Sequence, residues 1–140
     1  MNRSLFSIAA ASAVAFSLLT ASAADKKLDP SKLPPVASQT GVTYDKDIKP
    51  IFEKSCVKCH SGEKPKSKFD ATTLANIIKG GSHAPDVIAG KSGESPLVYA
   101  IALVGDEDDF MPPPDNKAKI PPLTKEQVGL IRAWIDQGAK

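Results

Sequence analysis

The chain has 140 residues but only two cysteines, two histidines, two methionines and one tryptophan, and aromatic side chains make up 6% of it. With so few bulky side chains, a core built from this chain alone is thin for its length. A tetrahedral zinc site would consume every cysteine and histidine available. Neither sign of charge dominates: 18 lysines and arginines face 16 aspartates and glutamates, which excludes the basic footprint of a nucleic-acid binder. Beyond the first residues no stretch is long and apolar enough to span a bilayer, no stretch alternates as a strand, and there is no internal repeat.

What is present begins with an export signature. Arg3 supplies a positive start, residues 5–19 form an apolar run, and Ala21-Ser22-Ala23 has the A-x-A form of a cleavage site. This predicts a signal peptide over 1–23, cleaved after Ala23, and a periplasmic destination. As a membrane anchor the run is short of the ~20 residues a spanning helix needs, and Ser7, Ser12 and Ser17 dilute it. No cysteine lies near the cleavage site to carry a lipid. Residues 24–41, rich in lysine and proline (Pro30, Pro34, Pro35) and without hydrophobic periodicity, read as a flexible leader. Residues 42–140 read as one domain.

Within that domain the signals are all helical. Ile48, Ile51 and Phe52 share a face, and Pro50 demands either a kink or a short helix followed by a fresh turn. A second helix is predicted with Asp70 as N-cap, Leu74, Ile77 and Ile78 on one face, and an end at Gly80-Gly81. A third has Ser95 as N-cap and Pro96 at its first position, and runs through Leu97, Ile101 and Val104 to Gly105. The last starts at Thr124, with Gln127 completing a capping box. It places Val128, Ile131 and Ile135 on one face, and Gly138 marks its end. Four short helices joined by long loops need something central to wrap around.

Cys56-Val57-Lys58-Cys59-His60 supplies the chemistry. C-x-x-C-H is the attachment pattern for c-type haem. Two intervening residues set both sulfurs over one porphyrin edge for thioether formation, and the histidine that follows turns toward the iron. Two other chemistries use paired cysteines, an extracytoplasmic Cys56–Cys59 disulfide and a zinc site, but a thioredoxin-like motif should sit in a βαβ context that is lacking here. The favoured distal ligand is Met111 in Phe110-Met111-Pro112-Pro113-Pro114, where three prolines stiffen the backbone behind a soft sulfur. His83, in a glycine-bordered loop, is the competing ligand, or else an exposed loop histidine. Lys54, Lys58, Lys64, Lys66 and Lys68 surround the attachment motif, and Asp106, Glu107, Asp108 and Asp109 precede Phe110. Either cluster could orient a redox partner protein.

With these residues in hand, the chain resembles the planctomycete-type cytochrome c domain family from Val42 to the C-terminus. The resemblance rests on Tyr44-Asp45-Lys46-Asp47-Ile48-Lys49-Pro50-Ile51-Phe52 ahead of the C-x-x-C-H segment, on Gly80-Gly81 and on Gly90-Lys91-Ser92-Gly93-Glu94-Ser95-Pro96-Leu97. Met111-Pro112-Pro113 and the Trp134-Ile135-Asp136-Gln137-Gly138-Ala139 ending complete it. It implies an all-α, class I cytochrome c-like fold around one haem c, with thioethers at Cys56 and Cys59 and iron ligands at His60 and Met111. His83-Ala84-Pro85 and the acidic run depart from the family pattern. The expected role is a monomeric, non-enzymatic periplasmic electron carrier. A subunit of a periplasmic dehydrogenase complex and a haem sensor or ligand-binding protein are the alternatives.

Overall fold

The capping box expected at Thr124 forms in full. In the computed structural model, which describes residues 28–140, the Thr124 hydroxyl accepts from the Gln127 N–H at 3.2 Å, and the Thr124 N–H donates to Gln127 Oε1 at 2.9 Å. The helix so started, Lys125–Asp136, is the longest of the four α-helices among the described residues and is labelled α4 below. Its Val128, Ile131, Trp134 and Ile135 are all but completely buried. Burial of such side chains stabilises by about 1.5–3 kcal/mol each, so α4 is the axis on which the rest packs. The expected signal peptide lies outside the described residues.

Pro50 resolves as the second of the two expected alternatives. A π-helical turn, Tyr44–Ile48, is followed by α1, Lys49–Ser55, in which Pro50 occupies the first turn, where a missing N–H costs nothing. Tyr44 links this unit to α4: its ring lies edge-on to Phe52 at 6.5 Å and 6.1 Å from Trp134. The buried indole N–H of Trp134 donates to the Lys140 carbonyl at 3.0 Å, which also accepts from the Tyr44 N–H at 3.0 Å. First and last parts of the domain thereby share one acceptor.

The remaining helices are α2, Leu74–Lys79, and α3, Pro96–Ala102. Thr73 rather than Asp70 caps α2, its hydroxyl accepting from the Asn76 N–H at 3.2 Å. Asp70 instead gathers the Thr72 N–H and hydroxyl and the Asn76 amide (2.6 to 2.9 Å) in an Asx turn leading into the helix. Ser95 stands at the N-cap of α3 without capping it. Its buried hydroxyl accepts from the Ile88 N–H and donates to the Lys91 carbonyl, both at 2.9 Å. α3 ends before Val104, because Leu103 turns left-handed at φ 55°. Among the described residues there is no strand, as expected of an all-α chain. No described helix is long and apolar enough to cross a membrane.

The segment expected as a flexible leader is docked where it is described. Arg132 Nη1 donates to the Pro34 carbonyl, the Ala37 N–H to the Gly129 carbonyl at 3.0 Å, and Gln137 Nε2 to the Gln39 carbonyl at 2.9 Å. Gly129 lets this strap cross α4 closely: a Cβ there would lie 2.6 Å from the Pro35 carbonyl oxygen. Apart from a 3-10 turn at Pro30–Lys32 the segment is extended, and extended chain can still pack through its carbonyls.

Candidate functional site

The attachment segment is the continuation of α1. Phe52, 1% exposed, is fixed in the core, and its carbonyl accepts from both the Cys56 N–H (2.8 Å) and the Val57 N–H (3.0 Å). The Cys56 carbonyl then accepts from the N–H of Cys59 (3.1 Å) and of His60 (2.9 Å). One further turn of backbone thus carries Cys56, Cys59 and His60 on a base anchored by Phe52. Both cysteines are free and half-buried. Burial, with a smaller contribution from neighbouring Cys59, pushes the Cys56 thiol up to about 12.

His60 is held by backbone. Its Nδ1 lies 3.1 Å from the Lys66 carbonyl oxygen and 3.2 Å from that of Phe69, and the Phe69 ring stands edge-on to the imidazole at 5.5 Å. Carbonyl oxygens only accept, so Nδ1 carries the proton and the Nε2 lone pair is left for a metal. The His60 carbonyl in turn accepts from the Ala71 N–H at 2.8 Å. The supporting 3-10 turn, Lys66–Lys68, holds Ser67 and Lys68 at φ 52° and 57°, a region that side-chain-bearing residues seldom occupy. Sequence reading missed Lys66 and Phe69 as partners of His60, because a main-chain acceptor leaves no residue-type signature.

Met111 is placed by α3: its N–H donates to the Ala100 carbonyl at 3.0 Å, and the following Pro112 is buried. The thioether side chain is half-buried against the same apolar core that Cys56 and Val57 flank. No hydrogen bond described here joins Met111 to the Cys56–His60 turn. His83 is exposed, in the loop after α2. The acidic run forms an exposed 3-10 turn, Glu107–Asp109, with Asp106 as its N-cap. Lys64, Lys68 and Lys79 line an open cleft of about 500 Å³ beside the attachment turn, together with Glu63 and Asp70.

Among the described residues no three His, Cys, Asp or Glu side chains gather into a metal-binding cluster, so the zinc alternative lacks a ligand set. The donors that are present suit haem c: two free thiols spaced for thioethers, an imidazole with only its outer nitrogen available, and one soft thioether. An all-helical domain presenting such a turn has the features that a c-type cytochrome requires. Residues 56–115 match the model of the family described as Planctomycete cytochrome C, the family that the motifs resemble. That family implies covalently bound haem and an electron-transfer role. The matched segment contains Cys56, Cys59, His60 and Met111. No curated protein and no solved structure matches the chain.

Proposed function

We propose that the chain is a periplasmic c-type cytochrome carrying single electrons between redox partner proteins through one haem c. Cys56 and Cys59 tether the porphyrin through their sulfurs, His60 binds the iron through Nε2, and Met111 takes the opposite position through its thioether. The cofactor supplies a one-electron ferric/ferrous couple; the chain supplies its holding and tuning. The observation that carries the reading is the commitment of His60 Nδ1 to the Lys66 and Phe69 carbonyls within the turn bearing both free thiols. Such an outer partner fixes a ligating histidine's tautomer and ring plane and raises its basicity.

Leu74, Leu97, Val104 and Met111, like Cys56 and Val57, are side chains at the core's margin that remain only partly buried. Contact with a flat apolar cofactor would take such surface out of water and lower the local dielectric, which tunes the potential. The functional domain is 42–140, following a signal peptide over 1–23. Its partner-facing side is the lysine-rich surround of the attachment turn, Lys54, Lys58, Lys64, Lys66 and Lys68, all exposed. Weak, fast encounters with an acidic redox partner fit such a surface.

Intact mass of the protein exported from a haem-attaching host tests this reading. The expected product starts at Ala24 and carries one haem that denaturation does not remove. A chain of apoprotein mass from such a host would reject it.

A further inference from the structure

The carbonyls that hold His60 belong to a turn that is itself unfavourable, with Ser67 and Lys68 both left-handed at φ 52° and 57°. Something outside the turn must over-determine it, and the loop after α2 does. The Ser67 carbonyl oxygen accepts from the Ser82 N–H at 2.7 Å and from the Ser82 hydroxyl at 2.9 Å. Gly81 lies so close against the same turn that a Cβ there would stand 2.5 Å from the Ser67 oxygen and 2.9 Å from Phe69 Cβ. The Gly81 N–H is held from the far side by Asp86 Oδ2 at 2.6 Å. A continuous chain of contacts thus runs from Asp86 through Gly81 and Ser82 to the Ser67 peptide, and on to the Lys66 and Phe69 carbonyls facing His60 Nδ1.

We propose that Ser82 is a positioning residue for His60: by pinning the Ser67 peptide it keeps the flanking carbonyls aimed at the imidazole and so sets the electron donation of Nε2. The proposal rests on His60 being the iron ligand. When the pin loosens, the Nδ1–H bond weakens, the imidazole becomes a poorer donor, and the ferric state loses more stabilisation than the ferrous state. The reduction potential then rises.

The test compares the haem-loaded parent with S82A, S82T and G81A by redox titration and by the solvent exchange of the His60 Nδ1 proton in the ferrous protein, followed by NMR. S82A keeps the N–H and loses the hydroxyl. It is expected to exchange that proton roughly fivefold faster, the loss of one neutral hydrogen bond, and to titrate at a higher potential. S82T, which keeps a hydroxyl, restores both values, and G81A shifts both further in the same direction. If S82A and G81A leave potential and exchange as in a parent whose iron is bound by His60, the inference falls while the proposed function stands. If the parent's iron is not bound by His60, both fall together.

Discussion

Nδ1 of His60 lies 3.1 Å from the carbonyl oxygen of Lys66, six residues further along the chain. A six-residue return is short enough to belong to the same local structure, yet it passes through Gly62, at φ 83°, and Pro65 before the carbonyl comes round. With Phe69 O at 3.2 Å as a second acceptor, the ring has one orientation and one tautomer before any metal binds. Preorganisation of this kind lowers the ordering cost of capturing a cofactor.

The first expectation concerns Met111. In haem-loaded M111A the weak long-wavelength ferric band of sulfur ligation should vanish, and the reduced protein should bind carbon monoxide, which the parent should not. Survival of the band would remove Met111 as ligand, and replacement of the parent spectrum by bis-histidine features would move His83 into its place.

The strap over α4 gives the second. A methyl group at Gly129 would meet the Pro35 carbonyl oxygen at 2.6 Å, and backbone on both sides has little room to shift. Overpacking of this kind costs about 1–3 kcal/mol. G129A should therefore lose that much unfolding free energy, with a lower denaturant midpoint and with amide exchange of Ala37 accelerated. Unchanged stability would show that residues 34–39 do not stay on the helix in solution.

Acid sensitivity follows from Asp70. Hydrogen bonds from the Thr72 hydroxyl and N–H hold its carboxyl below the ordinary aspartate value of 3.8. With a folded pKa lower than the unfolded one, the contribution to stability is complete above 3.8 and is lost as pH falls through the folded value. D70A should flatten the acid side of the stability-against-pH curve and leave the slope above pH 5 unchanged. A parallel curve, merely displaced, would mean that the turn before α2 is not coupled to folding.

Charge around the attachment turn supplies the fourth. Reduction by an acidic partner protein should slow as ionic strength rises toward ~0.15 M, where the screening length is about 8 Å. K64E combined with K68E should lower the rate about tenfold at low salt and far less at high salt. Rates indifferent to salt in both proteins would place the electron-exchange surface elsewhere.

Those features that depend on residue type at fixed spacing were legible before the fold was known. The Thr124 capping box, Pro50 opening a fresh turn, the apolar face of α4 and the Cys56-to-His60 segment all belong here. What escaped is carried by main-chain atoms. The Lys66, Phe69 and Ser67 carbonyls, and the Pro34 and Pro35 carbonyls under which α4 runs, could have belonged to almost any residues. Asp70 reads as a helix cap, and Ser95 at its N-cap position as a capping side chain, because short polar side chains cap helices and close turns with the same geometry. Only the fold decides which backbone donors lie within reach, and for these two they lay in a neighbouring turn.

The most direct test of the central claim is a pyridine haemochrome spectrum of the purified exported protein, taken after organic extraction of loose haem. A c-type haemochrome that resists extraction in the parent and becomes extractable when Cys56 and Cys59 are both replaced by serine is the expected result. Protein from a haem-attaching host that yields no haemochrome, or loses all of it on extraction, would contradict the account.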